Sequence, residues 1–342
     1  MTAVIACRKI GQAPEISDME YGSARGRLSL TLVPTVNSGT KASYPDLEAG
    51  EAKINSAQVL ICKTDGSLAR YLRMDDVSGN SAVFEGISLP TGQYEVHALL
   101  NGKDMSSCRT ASEFLQTSYS LDDNAGGFVH YAGKPCTVSA GQESDCRISA
   151  RRLVARVHLQ SVRNNLPPAY GTVTLKNVFL ENVVAADSPG QNVAARYVNL
   201  YGRTDPGNAA TVINGQSHPA SAPAFTFKSV SKGIANGASY SDGVNLYCYR
   251  NSSTIDPEGI PGGNNGAATK LVLTVNINGR DFFYPVFISE NRTIEANKAY
   301  TVSVTLNNIG SEDPSVPVTL SAASVTLSVD AWDDGGLQDV EI

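Results

Sequence analysis

The side chains that could perform catalysis or hold a metal ion are scattered along this chain. The four histidines are isolated from one another: His97, His130, His158 and His218. Two of them, at 97 and 158, lie within apolar, strand-like runs, where a structural histidine is commoner than a base or ligand. The sequence has no serine-hydrolase, P-loop, dinucleotide-binding or zinc-protease motif. It therefore predicts a protein that is not an enzyme and uses no cofactor.

The cysteines also fail to form a metal-binding pattern. They are Cys7, Cys62, Cys108, Cys136, Cys146 and Cys248. None belongs to a C-x-x-C pair, which argues against zinc. Cys136 and Cys146 flank a turn, a spacing compatible with a disulfide, whereas Cys62 and Cys248 sit in apolar runs typical of buried thiols. The carboxylate pairs at 122–123 and 333–334 lie in turn-like segments and match no calcium loop.

A cluster of basic residues is the remaining candidate for a binding site. Its members are Arg147, Arg151, Arg152 and Arg156. They could bind an anion, but their positions along a predicted strand favour a solvated or salt-bridged sheet edge. The formal net charge of −6 argues against a nucleic-acid partner, which would require a basic face.

Composition predicts an all-β chain of two domains. Its 342 residues exceed one typical small domain, and charged residues make up only 18%, below the usual ~25%. The clearest hairpin joins Lys270–Ile277 to residues 282–288 through Asn278-Gly279, with Pro285 expected on an edge or bulge. Thr110 and Glu113 are spaced as a capping box and predict a short helix over 110–115.

The two ends of the chain carry similar strand patterns. Near the start, Leu28, Leu30 and Leu32 alternate with polar residues. Near the end, residues 316–332 alternate in two registers that differ by one residue: first Val318 and Leu320, then Val325, Leu327 and Val329, with Trp332 closing the segment. A one-residue slip turns later side chains to the opposite face. This segment is therefore either two short strands or one bent strand, and it could occupy the same position in a sheet as the first strand.

The first residues suggest two interpretations. Residues 4–7, Val-Ile-Ala-Cys, fit a bacterial lipobox, in which the cysteine becomes lipidated; the alternative is an ordinary cysteine at position 7. Residues 8–23 are polar and aperiodic, as in a tether. The predicted organisation is a leader and tether over 1–23, an N-terminal domain over 24–152, a C-terminal domain over 153–309 and a tail over 310–342.

Several stretches, taken in order, resemble the fimbrillins, the type V pilins of Bacteroidales. The stretches that carry the resemblance are residues 59–66, 89–96, 128–133, 151–158, 284–286 and 294–300, then Asp313-Pro314 and the tail that closes at Trp332. They cover most of the chain. The resemblance implies two transthyretin-like, Greek-key β-sandwich domains followed by a donor-strand pair.

The resemblance also implies a mechanism. The protein would be exported as an outer-membrane lipoprotein through Cys7, and a trypsin-like protease would cut after Lys41, with Arg25, Arg27 and Lys53 as other basic sites. The strand of Leu28, Leu30 and Leu32 would then leave. The tail of another copy or a related subunit would replace it through Val318, Leu320, Val325, Leu327, Val329 and Trp332. Such a chain would be a shaft or stalk subunit of a cell-surface fimbria that supports adhesion.

A second hypothesis belongs to a different class of function. A lipid-anchored surface protein could bind glycans through the loops of a β-sandwich, with tyrosines that stack on sugars. The candidate tyrosines are Tyr197, Tyr201, Tyr240, Tyr247 and Tyr249. Within strands, tyrosines more often belong to the core or the sheet surface. Exposed aromatic side chains on one loop platform would favour this alternative.

Overall fold

The structure is a computed structural model, and it describes residues 24–34, 51, 53–184, 186–191, 197–199, 210–213, 216–219, 223–254, 268–312 and 323–331. These residues form β-strands with few helical turns, which confirms the predicted all-β class. None of the helices in these segments is long and apolar enough to cross a membrane.

The first half of the chain contributes eight strands. They are β1 (Arg25–Pro34), β2 (Ser56–Lys63), β3 (Leu68–Asp75), β4 (Ala82–Pro90), β5 (Gly92–Leu100), β6 (Tyr119–Ser120), β7 (His130–Val138) and β8 (Glu143–Arg152). Seven of them form a sheet in the order β3-β2-β5-β7-β8-β1-β4. Strands β7 and β8 pair only through His130–Arg152 and Tyr131–Arg151. Beyond this corner they diverge, and inward side chains from both ends of the sheet meet in one core.

The layer β3-β2-β5-β7 is covered on both faces. In β2, Val59 and Ile61 face the core shared with β1, β4 and β8. The alternate residues Leu60 and Cys62 face a second core, which continues into the rest of the molecule. A strand buried on both faces has no polar alternation, which explains why residues 59–62 form a continuous apolar run.

The predicted short helix is present as α1 (Ala111–Leu115). The Thr110 hydroxyl accepts a hydrogen bond from the Glu113 backbone N–H at 3.2 Å, as an N-cap should. The Glu113 carboxylate accepts from the Arg109 backbone N–H at 2.7 Å, one residue before the cap. The sequence thus located the N-cap correctly. In a capping box the Glu113 carboxylate would accept from the Thr110 backbone N–H, whereas here it accepts from that of Arg109.

The second half contributes the remaining strands. They are β9 (Val154–Asn164), β10 (Val173–Glu181), β11 (Ala186–Asp187), β12 (Tyr197–Asn199), β13 (Ala210–Ile213), β14 (Gln216–Pro219), β15 (Phe227–Ile234), β16 (Ser239–Tyr240), β17 (Val244–Tyr249), β18 (Lys270–Ile277), β19 (Arg280–Phe287), β20 (Lys298–Leu306) and β21 (Ala323–Ala331). A four-residue helix, α2 (Pro223–Thr226), precedes β15, and 3-10 turns lie at Leu121–Asn124 and Pro168–Tyr170.

Two sheets dominate this half. One has the order β15-β10-β18-β19; the other has the order β16-β9-β20-β21, with β17 also paired to β9. Strands β9 and β20 run parallel. The hairpin β18–β19 is confirmed: Asn278 and Gly279 have φ values of +51° and +86°, as a two-residue turn of this type requires. Pro285 lies on the edge strand β19, as predicted.

Candidate functional site: the slot of β1 and the edge strand β21

Strand β1 fills a slot between β4 and β8. It runs parallel to β8, with Arg27–Pro34 opposite Glu143–Ala150, and antiparallel to β4. The β4 ladder shifts register between Leu28 and Leu30, where Gly86 of β4 has a φ of +66°. This bulge belongs to β4 and is therefore a property of the slot itself.

The inward face of β1 is apolar and completely buried. Leu28, Leu30 and Leu32 are each 0% exposed and belong to the core of the first half. Burial of a leucine side chain contributes about 1.5–3 kcal/mol. The outward residues Arg27, Ser29 and Thr31 are polar, followed by the half-buried Val33, and the Ser29 hydroxyl donates a hydrogen bond to the Glu143 carboxylate at 2.7 Å. The alternation predicted for residues 28–32 is thus real, and it anchors β1 through one face.

The two walls of the slot depend on β1 for their pairing. Within the described parts of the chain, β4 pairs with no other strand. Strand β8 pairs with β1 over eight residues, but with β7 only at its last two residues. A disulfide between Cys136 of β7 and Cys146 of β8 provides a second link, as the sequence spacing suggested. Removal of β1 would therefore expose backbone donors and acceptors on both walls, which is an aggregation hazard unless another strand fills the slot.

The C-terminal strand β21 lies at the edge of its sheet. It pairs antiparallel with β20 across nine residues, from Lys298–Ala331 to Leu306–Ala323. One face carries Ala323, Val325, Leu327 and Val329. Of these, Ala323 is buried and Leu327 is half-buried, whereas Val325 and Val329 are 37% and 46% exposed. The sequence predicted a strand here, and the structure shows that its own sheet covers only part of its apolar face.

Other predicted site residues fall elsewhere. Cys7, Lys41, Val318, Leu320 and Trp332 lie outside the described residues. Among the other basic cleavage candidates, Arg25 and Arg27 lie within β1, whose backbone is paired on both sides, whereas Lys53 is exposed. Ladder pairing makes the two arginine bonds poor protease substrates.

The arginine cluster is not one surface: the predicted edge describes two exposed members, whereas the other two are buried, and of these Arg156 does form a salt bridge, with Glu51. Arg147 and Arg151 are exposed on β8, but Arg152 and Arg156 are only 1% and 3% exposed. Both buried arginines contact Glu51, which follows residues 35–50 in the chain.

Glu51 is the centre of a buried polar cluster that joins the two halves. Its carboxylate accepts hydrogen bonds from Arg156 Nη1 at 3.1 Å and from the Tyr247 hydroxyl at 2.6 Å. Its backbone carbonyl accepts from Arg152 Nη2 at 3.2 Å. No sequence signal marks Glu51, because a single glutamate in a polar stretch has the pattern of a solvated residue. The cluster fixes the chain immediately downstream of the segment that holds Lys41.

Further polar contacts join the halves beside this cluster. Strand β6 pairs with β11, and the Tyr249 hydroxyl donates to the Ser120 carbonyl at 2.8 Å. Within the second half, Asp187 of β11 is fully buried and forms an ion pair with Arg250. Burial raises the pKa of Asp187, while Arg250 opposes that shift. Phe128 packs on Tyr247 with ring centroids 4.9 Å apart. The junction between the halves is thus both apolar and hydrogen-bonded.

The histidines at 97 and 158 and the free cysteines at 62 and 248 are buried among other side chains of the fold. His97 and His158 are buried in β5 and β9, and their Nδ1 atoms lie 3.1 Å from the Tyr131 hydroxyl and 2.7 Å from Asn245 Oδ1. Burial lowers the pKa of both. Burial also raises the pKa of the thiols of Cys62 and Cys248, to about 11 and about 12. Such thiols are poor nucleophiles. Among the residues that the structure describes, no three metal-ligating side chains converge.

The tyrosines of the glycan-binding hypothesis whose side chains the structure describes do not form an exposed platform. Tyr240, Tyr247 and Tyr249 are 9%, 4% and 0% exposed and belong to the core. The side chains of Tyr197 and Tyr201 lie outside the described part. The commoner interpretation, that strand tyrosines are core residues, holds for the three that are described.

Comparisons with known proteins agree on the fold. No family model matches the sequence, and no curated protein matches it. Among solved structures, a putative cell adhesion protein from Parabacteroides distasonis superposes with a TM-score of 0.65 at 14% identity, covering 92% of this chain and 99% of that one. A fimbrilin from Porphyromonas gingivalis gives a TM-score of 0.61 at 14% identity, with 90% and 98% covered.

A third similar structure is a tip fimbrial protein of Porphyromonas gingivalis with a C-terminal truncation. Its TM-score is 0.55 at 14% identity, and the alignment covers 90% of this chain and 100% of that one. The three alignments each span nearly the whole of both chains. This chain therefore has the fold of the Bacteroidales fimbrilins and of cell adhesion proteins similar to them, which confirms the resemblance seen in the sequence at the level of fold.

Proposed function

We propose that this protein is a non-enzymatic structural subunit of a cell-surface fimbria and polymerises by strand exchange. The observation that carries the proposal is the position of β1. It lies between two walls that have little other pairing, and it is connected to β2 through residues 35–55, a segment long enough for a protease to reach. The fold shared with a fimbrilin and a tip fimbrial protein supports the same function.

The proposed sequence of events begins with export. The protein is anchored in the outer membrane through a lipid on Cys7, and a trypsin-like protease cuts after Lys41. Residues up to the cut, including β1, then leave the slot. Because Glu51 is held by Arg156 and Tyr247, the chain downstream of the cut stays attached to the body of the subunit. The cut thus releases one strand and leaves the rest folded.

The incoming strand comes from the tail of another copy or of a related subunit. We propose that residues 24–152 and 153–309 act as the two domains of the subunit and 310–342 as its donor tail. The tail residues would supply backbone hydrogen bonds to β4 and β8 for affinity and alternate side chains for specificity. The partly uncovered apolar face of β21 supports this role, because transfer to a closed slot would bury more of it. A shaft or stalk position fits a subunit that has both a cleavable segment and a tail.

Limited trypsin digestion followed by mass spectrometry and an unboiled denaturing gel tests the proposal. We expect a cut after Lys41 followed by a ladder of oligomers. A variant that lacks residues 316–342 should be cut equally well but stay monomeric. If the cut full-length protein also stays monomeric, strand exchange is wrong and a glycan screen becomes the next experiment.

A further inference from the structure

An open cleft lies on one side of the second half, where the edges of its two main sheets face each other. One edge is β15, which pairs only with β10 among the described strands. The other edge consists of β16 and β17, which both pair with β9. The cleft between them has a volume of about 340 Å³, within the usual range for a small-molecule site. Polar side chains from both edges predominate in its lining.

Both edges are interrupted at the cleft by a β-bulge. In β15, Val230 and Ser231 lie opposite a single residue of β10, and Ser231 has a φ of +54°. Between β16 and β17, residues 241–243 lie opposite residues 160–161 of β9, and Gly243 has a φ of +73°. A bulge redirects side chains and ends regular pairing. Neither edge therefore offers an unbroken row of backbone groups to an extended peptide, and the cleft suits a compact ligand held by side chains.

The edge strand β15 directs two lysines into the cleft. Lys228 and Lys232 lie opposite Val178 and Leu175 of β10, whose side chains are fully buried in the main core. Directly opposed residues of an antiparallel pair point to the same face of the sheet. Both lysines therefore leave the inner face of β15, on either side of the half-buried Val230.

The charges of the cleft are unbalanced. Lys228 is half-buried and forms no ion pair with any carboxylate that the structure describes. Lys232 Nζ lies 3.7 Å from Asp242 Oδ2, but the two side chains are 60% and 67% exposed. An ion pair this exposed contributes little and opens readily. Two lysines thus line the cleft with one aspartate, in a chain whose formal net charge is −6.

The opposite wall supplies neutral hydrogen-bonding groups that are held in place. His158 is 4% exposed, and its Nδ1 lies 2.7 Å from Asn245 Oδ1. Because an amide oxygen only accepts, the imidazole donates this bond, and the Nδ2 group of Asn245 remains a donor for a ligand. The ring lies against Gly243, where a Cβ atom would be 2.8 Å from His158 Cε1. The Tyr240 hydroxyl donates to the Gly243 carbonyl at 3.0 Å and so holds the bulge.

We infer that this cleft binds a sugar acid, that is, a sugar unit that carries a carboxylate. Lys228 binds the carboxylate, and Lys232 joins it on leaving Asp242. The hydroxyl groups of the sugar accept from the Asn245 amide and donate to the Asp242 carboxylate. A neutral sugar leaves Lys228 without a partner, and a bare carboxylate leaves the opposite wall unused. The inference concerns the second half of the chain and does not depend on strand exchange at the slot of β1.

Saturation-transfer NMR titrations on the uncut full-length protein test the inference. The probe is D-glucuronate, with D-glucose as the neutral counterpart and acetate as the bare carboxylate, and we expect glucuronate to bind more tightly than either. Lys228→Gln should weaken glucuronate binding at least about tenfold, which corresponds to the loss of one hydrogen bond between charged groups. Lys228→Arg keeps the charge and should retain most of the affinity. The matched control is Lys63→Gln, at an exposed lysine of β2 in the first half, and it should leave the affinity unchanged.

A further variant acts in the opposite direction. Asp242→Asn should tighten glucuronate binding, because it releases Lys232 and its amide oxygen can still accept from a hydroxyl group. Weaker binding by this variant would contradict the role of Lys232.

Each alternative outcome overturns the inference in a recognisable way. Equal binding of glucose would show that the lysines do not select the ligand. Equal binding of acetate would show that the cleft accepts any carboxylate and does not recognise the sugar. Unchanged glucuronate binding in Lys228→Gln would place the ligand elsewhere on the chain. If glucuronate does not bind to the folded protein at all, the bulges and inward lysines serve only to protect two sheet edges from pairing.

The same titration separates this site from the proposed function. Uncut protein and protein cut after Lys41 should bind glucuronate equally, since no residue of β1, β4 or β8 lines the cleft. A chain that binds glucuronate but fails to polymerise after the cut would refute strand exchange alone.

Discussion

Removal of the Cys136–Cys146 disulfide should leave the uncut protein folded, but it should weaken the binding of a donor strand once the slot of β1 is empty. In the intact chain, β8 is held by eight residue pairs with β1 and by the disulfide. Once β1 has gone, the end of β8 is still held by two residue pairs with β7 and by the hydrogen bonds of Arg152 to Glu51 and Asn297, whereas its middle is linked by the disulfide and by a hydrogen bond from Lys134 Nζ to the Arg147 carbonyl. The disulfide then becomes the main restraint on the middle of the wall.

The magnitude follows from the loop that the disulfide closes. For a sequence separation of 10, the chain-entropy relation gives about 2.7 kcal/mol. In the uncut double variant Cys136→Ala/Cys146→Ala, pairing with β1 supplies roughly 4–12 kcal/mol if each of the eight pairs is worth one hydrogen bond. The uncut variant should therefore fold with a loss of about 2.7 kcal/mol. The cut variant must order β8 when a donor binds, which weakens binding by up to about a hundredfold.

Two measurements separate these effects. Urea unfolding of the uncut variant measures the loss of folding stability. Titration of the cut variant with a fluorescent peptide of residues 321–333 measures the loss of donor binding. Cys108→Ala is the control, because it removes a buried free thiol that belongs to the other core. A cut double variant that binds the peptide as tightly as the disulfide-bonded protein would refute the reasoning, since β8 would then hold its place unaided.

Three further predictions concern the folded chain and can be checked by urea unfolding. Leu30→Ala should lower the free energy of unfolding by about 2–5 kcal/mol, whereas Val33→Ala, on the half-buried outer face of the same strand, should cost much less. Glu51→Gln removes the negative charge that faces Arg156 in a buried pair and should cost about 3–5 kcal/mol. Asp242→Asn, in an exposed pair, should cost under about 1 kcal/mol; similar losses for these two variants would contradict the role of the Glu51 cluster. Burial, with a further contribution from the nearby Arg152, lowers the pKa of His130 to about 3, while an unfolded histidine titrates near pH ~6.5. The unfolded chain binds the extra proton in this window, so stability should fall as the pH falls from about 6.5 towards 3. His130→Asn, which can still donate to the Phe128 carbonyl, should flatten that limb; an unchanged limb would assign it to other groups.

Features set by short-range geometry could be predicted from the sequence. Asn278-Gly279 specifies its hairpin because both residues tolerate positive φ, and Thr110 caps α1 because its hydroxyl reaches an N–H three residues on. The alternation of Leu28, Leu30 and Leu32 predicts a one-sided strand, and the structure buries that side completely. In each case a few adjacent residues contain all the information.

Features that depend on which distant segments meet could not be predicted. Nothing near Glu51 indicates that Arg156, 105 residues later, will cover it. The parallel pairing of β1 with β8 and the cleft between β15 and the edge of β16 and β17 also arise only when the chain is folded. The physical reason is that periodicity reports which face of a strand is apolar but not which strand lies beside it. The sequence alone therefore determined the strands and their apolar faces, whereas the tertiary structure decided the walls of the slot, the polar cleft and the buried cluster that holds the two halves together.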